Sequence, residues 1–182
     1  MHLHEILTGC LAGKRKCQEE LYHRFCDMVM GVCLRYARSQ EQAEDIFQEV
    51  FLKVFQKIDK VKEPDALPGW IKRIAINTAI DHLKINTQEN LETEDSDEQG
   101  DQQYEELLDK LSNDEIVKII NQLPDGYRMV FNLYAVDGYS HKEIAEQLGI
   151  TESTSRSQLT YARRLLKEKL KNLGITRYES VI

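Results

Sequence analysis

Ser140-His-Lys-Glu-Ile-Ala-Glu-Gln-Leu-Gly-Ile-Thr151 carries the marks of two helices meeting at a tight turn. Ser140 and Glu143 stand at capping-box spacing, so a hydroxyl and a carboxylate can each satisfy an N–H that a helix start leaves without a partner. Ile144, Ala145 and Leu148 lay an apolar stripe on the first helix, and Gly149 supplies a left-handed residue at its end, a conformation that strains other side chains. Thr151 suits the cap of the next helix and Glu152 its positive end. No Pro or Gly then interrupts the chain before Gly174. At about 100° per residue, Ser155, Leu159, Ala162, Leu166 and Leu170 fall on one arc, the predicted buried face. Ser153, Arg156, Ser157, Thr160, Arg164, Lys167 and Lys171 fall opposite. Short donors come first along that outer arc and cations follow. A recognition helix has this order, with its N-terminal residues at base edges in the major groove and its long basic side chains at phosphates. The segment therefore predicts a DNA-binding helix-turn-helix.

The chain has 182 residues and a formal net charge of -7, and the charge is unevenly placed. Residues 1–85 sum to +1, residues 86–110 to -9 and residues 111–182 to +1. The bulk acidity is therefore no argument against DNA binding, because the local field on each flanking segment is what a phosphate meets. The acidic stretch from Asn86 to Gln103 holds almost nothing apolar and cannot offset its own ordering entropy by burial. It reads as a linker, and the chain as two small helical domains, 1–85 and 111–182, in an all-α fold. As a strand of negative charge, the linker could also imitate nucleic acid in a basic channel of a partner.

Several classes are disfavoured. No stretch approaches the roughly 20 apolar residues that span a bilayer, and Met1-His-Leu-His lacks a signal-peptide layout, so a cytoplasmic protein without membrane insertion is expected. Cys10, Cys17, Cys26 and Cys33 match neither a zinc knuckle nor a redox pair, and are expected as buried free thiols. His2-x-His4 with Cys10 is too little for a metal site, and none is expected. Without a Gly-rich phosphate loop or a nucleophile–base set at plausible spacing, the chain does not read as an enzyme and implies no cofactor.

In the first domain, a helix from Glu19 to about Ala37 is predicted to turn Leu21, Tyr22, Phe25, Met28, Val29, Val32 and Cys33 inward. From Glu41 to Ile58, Ala43, Ile46, Phe47, Val50, Phe51, Val54 and Ile58 form a broad apolar arc. Opposite lies a narrow stripe of Asp45, Gln48, Glu49, Leu52 and Gln56. Leu52 is predicted to be exposed in mid-stripe, an apolar centre with a polar rim, as in a small docking site. Beyond Pro68, a third helix starting near Trp70 has Ile71, Ile74, Ala75, Ala79 and Leu83 on its inner arc. Arg73, Asn77 and Lys84 lie on its other side, with a half-buried Trp70 at the edge. With Lys60 and Lys62 from the preceding loop, this surface suits a single nucleic-acid strand. On these residues alone two other readings stay open: a dimeric regulator binding duplex DNA through residues 111–176, and an interaction protein whose first domain is a partner-binding bundle. The first leaves the Asp45–Gln56 stripe and the Arg73/Asn77 face without a use.

The motifs in this order resemble the extracytoplasmic-function (ECF) sigma factors of bacterial RNA polymerase over nearly the whole chain. Ala43-Glu-Asp-Ile-Phe-Gln-Glu-Val-Phe-Leu-Lys-Val-Phe55 and Trp70-Ile-Lys-Arg-Ile-Ala-Ile-Asn-Thr-Ala-Ile-Asp81 look like sigma region 2. Leu123-Pro-Asp-Gly-Tyr-Arg-Met-Val-Phe131 and Gly138 to Thr151 look like region 4. The resemblance implies that Asp45, Gln48, Glu49, Leu52 and Gln56 dock on core polymerase. It implies that Lys60, Lys62, Trp70, Arg73 and Asn77 engage the melted -10 strand. Ser153, Thr154, Arg156, Ser157, Gln158, Thr160, Arg163, Arg164 and Lys167 would then serve the duplex -35 element, although Gln158 stands where many members carry Arg. The linker would run toward the RNA exit path, and an anti-sigma factor is the further partner implied.

Overall fold

Caps and apolar spacing set where each helix begins and which way it faces. The computed structural model describes residues 1–86 and 113–172, which are helical with short connections and contain no strand. The chain divides into two compact units, Met1–Asn86 and Thr87–Ile182. Apart from Asn86, the expected linker at 86–110 lies outside the described residues.

The first unit holds α1 (Leu3–Leu11), α2 (Arg15–Tyr36), α3 (Gln40–Lys57) and α4 (Leu67–Asn86). Two 3-10 turns, Ile58–Lys60 and Pro64–Ala66, join α3 to α4. Ser39 caps α3, its hydroxyl accepting from Gln42 N–H at 3.2 Å. α2 is the central element, packed against α1, α3 and α4. Leu21, Val29, Val32, Cys33 and Tyr36 meet Ala43, Ile46, Val50 and Val54 of α3 and Ile71, Ala75, Ala79 and Leu83 of α4 in one buried core. Gly9 is where α1 comes close to α2: a Cβ there would lie 2.1 Å from Cys17 Sγ. Cys10, Cys17 and Cys33 are buried free thiols, and burial pushes Cys10 up to about 11 and Cys33 up to about 12. Cys26 is only half-buried.

Three inward assignments need correction. Tyr22 is 39% exposed, its ring lying across Phe47 and Phe51 at the rim. An aromatic ring with a hydroxyl tip is stable at such an edge. Met28 is half-buried, as is Ile74. α4 starts at Leu67 rather than near Trp70, with Pro68 in the first turn, where its missing N–H costs nothing. Ile76, Thr78 and Ile80 are also buried, because α4 has neighbours in both α2 and α3 and its apolar face is wider than a single stripe.

The second unit holds α5 (Asn113–Ile120), α6 (Asp125–Phe131), a π-helical turn (Asn132–Val136), α7 (His141–Leu148) and α8 (Glu152–Asn172). α8 packs against α5, α6 and α7. Ile120, Val130, Phe131, Leu133 and Ile144 close on Leu159, Ala162, Leu166 and Leu170. Arg128 is buried in this core with its guanidinium 2.9 Å from the Asp125 carboxylate, which is itself buried.

Candidate nucleic-acid and protein interfaces

The strip on α3 forms as the helical spacing requires. Asp45, Gln48 and Gln56 are exposed, and between them Leu52 is 62% exposed while the adjacent Phe51 is 5% exposed. Each flank of the strip is fixed. Toward α2, Phe47, Phe51 and Phe55 form a row of rings at 5.0 and 6.2 Å, with Tyr22 4.8 Å from Phe51. Toward α4, Glu49 is half-buried and bonded to Lys53 Nζ at 2.7 Å and to His82 Nε2. Lys53 also donates to Thr78 Oγ1 at 3.2 Å. The Lys53 and His82 hydrogen bonds hold the Glu49 carboxyl below its ordinary value, so it stays ionised. Glu49 thus belongs as much to the α3–α4 seam as to the strip. The His82 and Thr78 partners were not anticipated from sequence.

Trp70, Arg73 and Asn77 lie three and four residues apart on one face of α4, with Trp70 half-buried and the other two exposed. Lys60 and Lys62, in the connection between α3 and α4, are exposed as well.

In the second unit the capping box is complete. Ser140 N–H donates to Glu143 Oε2 at 2.9 Å, and Glu143 N–H donates to Ser140 Oγ at 3.3 Å. Gly149 takes the left-handed conformation with φ +71, and its N–H and that of Ile150 both donate to Ala145 O. Thr151 caps α8 through Oγ1, which accepts from Thr154 N–H at 3.0 Å. All five residues of the predicted inner arc of α8, Ser155 included, are buried.

The outer arc is partly engaged with its own helix. Ser153, Arg156, Arg164 and Lys167 are exposed, and Arg156 pairs with Glu152 at 3.3 Å. Thr154 Oγ1 meets Thr151 Oγ1 at 2.9 Å, Ser157 Oγ donates to Thr154 O at 3.1 Å, and Thr160 Oγ1 donates to Arg156 O at 3.2 Å. Arg163 lies over the Tyr134 ring at 5.9 Å and Arg164 over Tyr161 at 4.7 Å, with Tyr161 stacked on Tyr127. Gln158 departs from expectation. It is 4% exposed, one turn from Ser155 and Ala162 on the wheel, so its side chain faces the core and not a DNA surface.

Sequence reasoning also missed His141. Its Nδ1 lies 2.9 Å from Ser155 Oγ, and its ring stacks on Tyr134 at 4.5 Å. The signal was available, since a serine on a buried apolar arc requires a hydrogen-bond partner. Burial, then Arg156 and Arg163, hold the imidazole below its ordinary value, against an opposing pull from Glu152. Among the described residues no cluster of His, Cys, Asp and Glu could hold a metal ion, and no helix is long and apolar enough to cross a membrane.

Residues 21–88 match the sigma-70 region 2 family, and residues 113–166 match sigma-70 region 4. The chain is 27% identical over 173 residues to the ECF RNA polymerase sigma-E factor of Haemophilus influenzae, covering 88% of this chain and 91% of that protein. It is 29% identical over 175 residues to the ECF RNA polymerase sigma factor SigL of Mycobacterium tuberculosis, covering 94% and 98%. The solved complex of the sigma factor RpoE with the anti-sigma factor NepR from Bartonella quintana contains the same fold. There the TM-score is 0.52 at 20% identity, covering 84% of this chain and 96% of that one.

Proposed function

We infer how the surfaces divide the work from the family: the chain belongs to the ECF sigma factors of the sigma-70 family, and it directs promoter recognition and transcription initiation. In our reading the α3 strip docks on core RNA polymerase, with Leu52 at its centre and Asp45, Gln48, Glu49 and Gln56 around it. The observation that carries this is the exposure of Leu52 within a polar rim, on a helix whose other large apolar residues are buried or half-buried. The α4 face of Trp70, Arg73 and Asn77, with Lys60 and Lys62, holds the single strand of the -10 element. α8 lies in the major groove at -35, with Ser153 and Arg156 at its start and Arg163, Arg164 and Lys167 on phosphates. Residues 86–110 tether two promoter contacts to one polymerase, so that the first contact raises the effective concentration of the second.

No covalent step is assigned to the chain. Holding an extruded base offsets part of an unstacking cost of a few kcal/mol, so a melted -10 element is captured when it forms rather than opened by a fuel. An anti-sigma factor, the partner of the Bartonella protein, is the expected antagonist here, covering the polymerase- and DNA-facing surfaces. The working compartment is the cytoplasm, where the polymerase is.

Transcription from a random promoter library tests this reading, with core polymerase and purified chain supplied singly and together. Specific transcripts that need both, sharing -35 and -10 motifs, are expected. Tight operator binding by the chain alone, with no new start sites when polymerase is added, would overturn it.

A further inference from the structure

Ser155 is buried on the inner face of α8, and its partner comes from the other helix of the pair. The bond to His141 Nδ1 at 2.9 Å survives a change of protonation: the neutral nitrogen accepts from the hydroxyl, and the protonated one donates to it. Stacking on Tyr134 fixes the plane of the half-buried imidazole. Nε2, the remaining polar atom of the ring, makes no hydrogen bond within the described residues. The charged groups facing His141 are Glu152, Arg156 and Arg163 of α8, and the π-helical turn contributes Tyr134. The ring is therefore anchored at one nitrogen, open at the other and set among the cations assigned above to DNA.

We propose that His141 makes engagement of the -35 duplex proton-linked: a backbone phosphate drawn to Arg156 and Arg163 accepts from the Nε2–H and favours uptake of one proton at Nδ1, which then donates to Ser155 Oγ. The inference rests on the reading that α8 faces duplex DNA. Before DNA arrives, burial and the two arginines disfavour the imidazolium. A phosphate reverses the arginine contribution, so the imidazole titrates higher in the complex than in the free protein. Affinity then rises as pH falls. The gain begins at the bound-state value and is complete below the free-state value, with a slope of at most about tenfold per pH unit for one proton.

The test measures binding of holoenzyme to a selected promoter between pH 7.5 and 5.5, and compares wild type with His141→Asn and His141→Gln. The Asn amide stands near the Nδ1 position and can bond Ser155, the Gln amide extends toward the Nε2 position, and neither titrates, so the affinity ratio isolates His141 and two variants guard against a folding defect in one. A ratio that grows about fivefold on acidification, within the one-proton limit, supports the proposal. A histidine NMR signal of the full chain that is absent from the His141 variants and titrates higher with -35 duplex present gives the same answer directly. A ratio independent of pH, while Arg156→Ala and Arg164→Ala still weaken -35-dependent binding, overturns the proton linkage alone. Arginine variants without effect overturn the placement of α8 on DNA, and the linkage with it.

Discussion

α3 and α8 are both long helices with one face in a core, yet the outward faces differ in kind. On α3 the outward face carries an apolar side chain in the open, and its one half-buried acid, Glu49, is tied sideways into α4. On α8 the outward face is polar, and many of its groups already bond to their own helix or lie over tyrosine rings. A protein partner gains from covering Leu52, since burying apolar area is favourable without any prior rearrangement. A DNA partner instead meets short hydroxyls that must exchange an internal bond for an external one, and cations already held in place. In the proposed reading the first surface serves adhesion and the second selection.

The largest expected effect lies beneath the selective surface. Asp125→Ala takes from the buried Arg128 its carboxylate partner while the bond to Asn121 O remains, and loss of one partner of such a pair costs about 3–5 kcal/mol. Thermal or denaturant unfolding should show the second unit melting early while the first keeps its transition. A single transition shifted as a whole would break the idea that the two units stand separately, and an unshifted one would remove the buried pair from the stability of the second unit. Next comes Leu52→Asp, expected to weaken polymerase association by about 2 kcal/mol or more, roughly thirtyfold, as for an interface anchor. Its fold should be intact because the site is exposed. Wild-type association in a fluorescence titration with core polymerase would remove the α3 strip from the docking surface. Gly149→Ala has open space around its new methyl group, so its cost is the left-handed backbone alone, about 1–2 kcal/mol. The loss should appear as a lower Tm of the second unit, with polymerase docking unchanged.

The smallest effect concerns Glu49. Its folded value is depressed by Lys53 and His82, so it contributes stability at pH values above the ordinary carboxylate value of 4.5 and loses that contribution as pH falls through the lower folded value. Glu49→Gln should therefore be less stable than wild type near neutrality and converge with it in acid. Partial exposure keeps the gap small. A gap that persists unchanged in acid would assign the effect to packing instead.

Much of this was legible in local chemistry. Ser140, Glu143, Gly149 and Thr151 each occupy the position that a cap or a turn demands, and those rules need only neighbours in sequence. The stripe on α3 was readable because the helix has one open side, which makes a lone leucine among acids and amides conspicuous. α4 was harder, since a helix with neighbours on more than one side buries Ile76, Thr78 and Ile80 beyond any single arc. Gln158 and His141 were legible but passed over: Gln158 sits beside Ala162 at the edge of the buried arc, and Ser155 within that arc called for a polar partner. Glu49 joined His82 across 33 residues, a pairing that only the fold creates.

The thiols have a practical consequence. Burial raises the Cys10 and Cys33 thiols well above their ordinary value, so neither is readily ionised at pH 7, and burial screens Cys17 from reagents as well. An alkylating dye added near neutrality therefore reacts first at Cys26. All four cysteines precede residue 34, so a wild-type chain labelled there places one fluorophore on α2. Such a probe tests the proposed docking of polymerase on the first unit without a single engineered change.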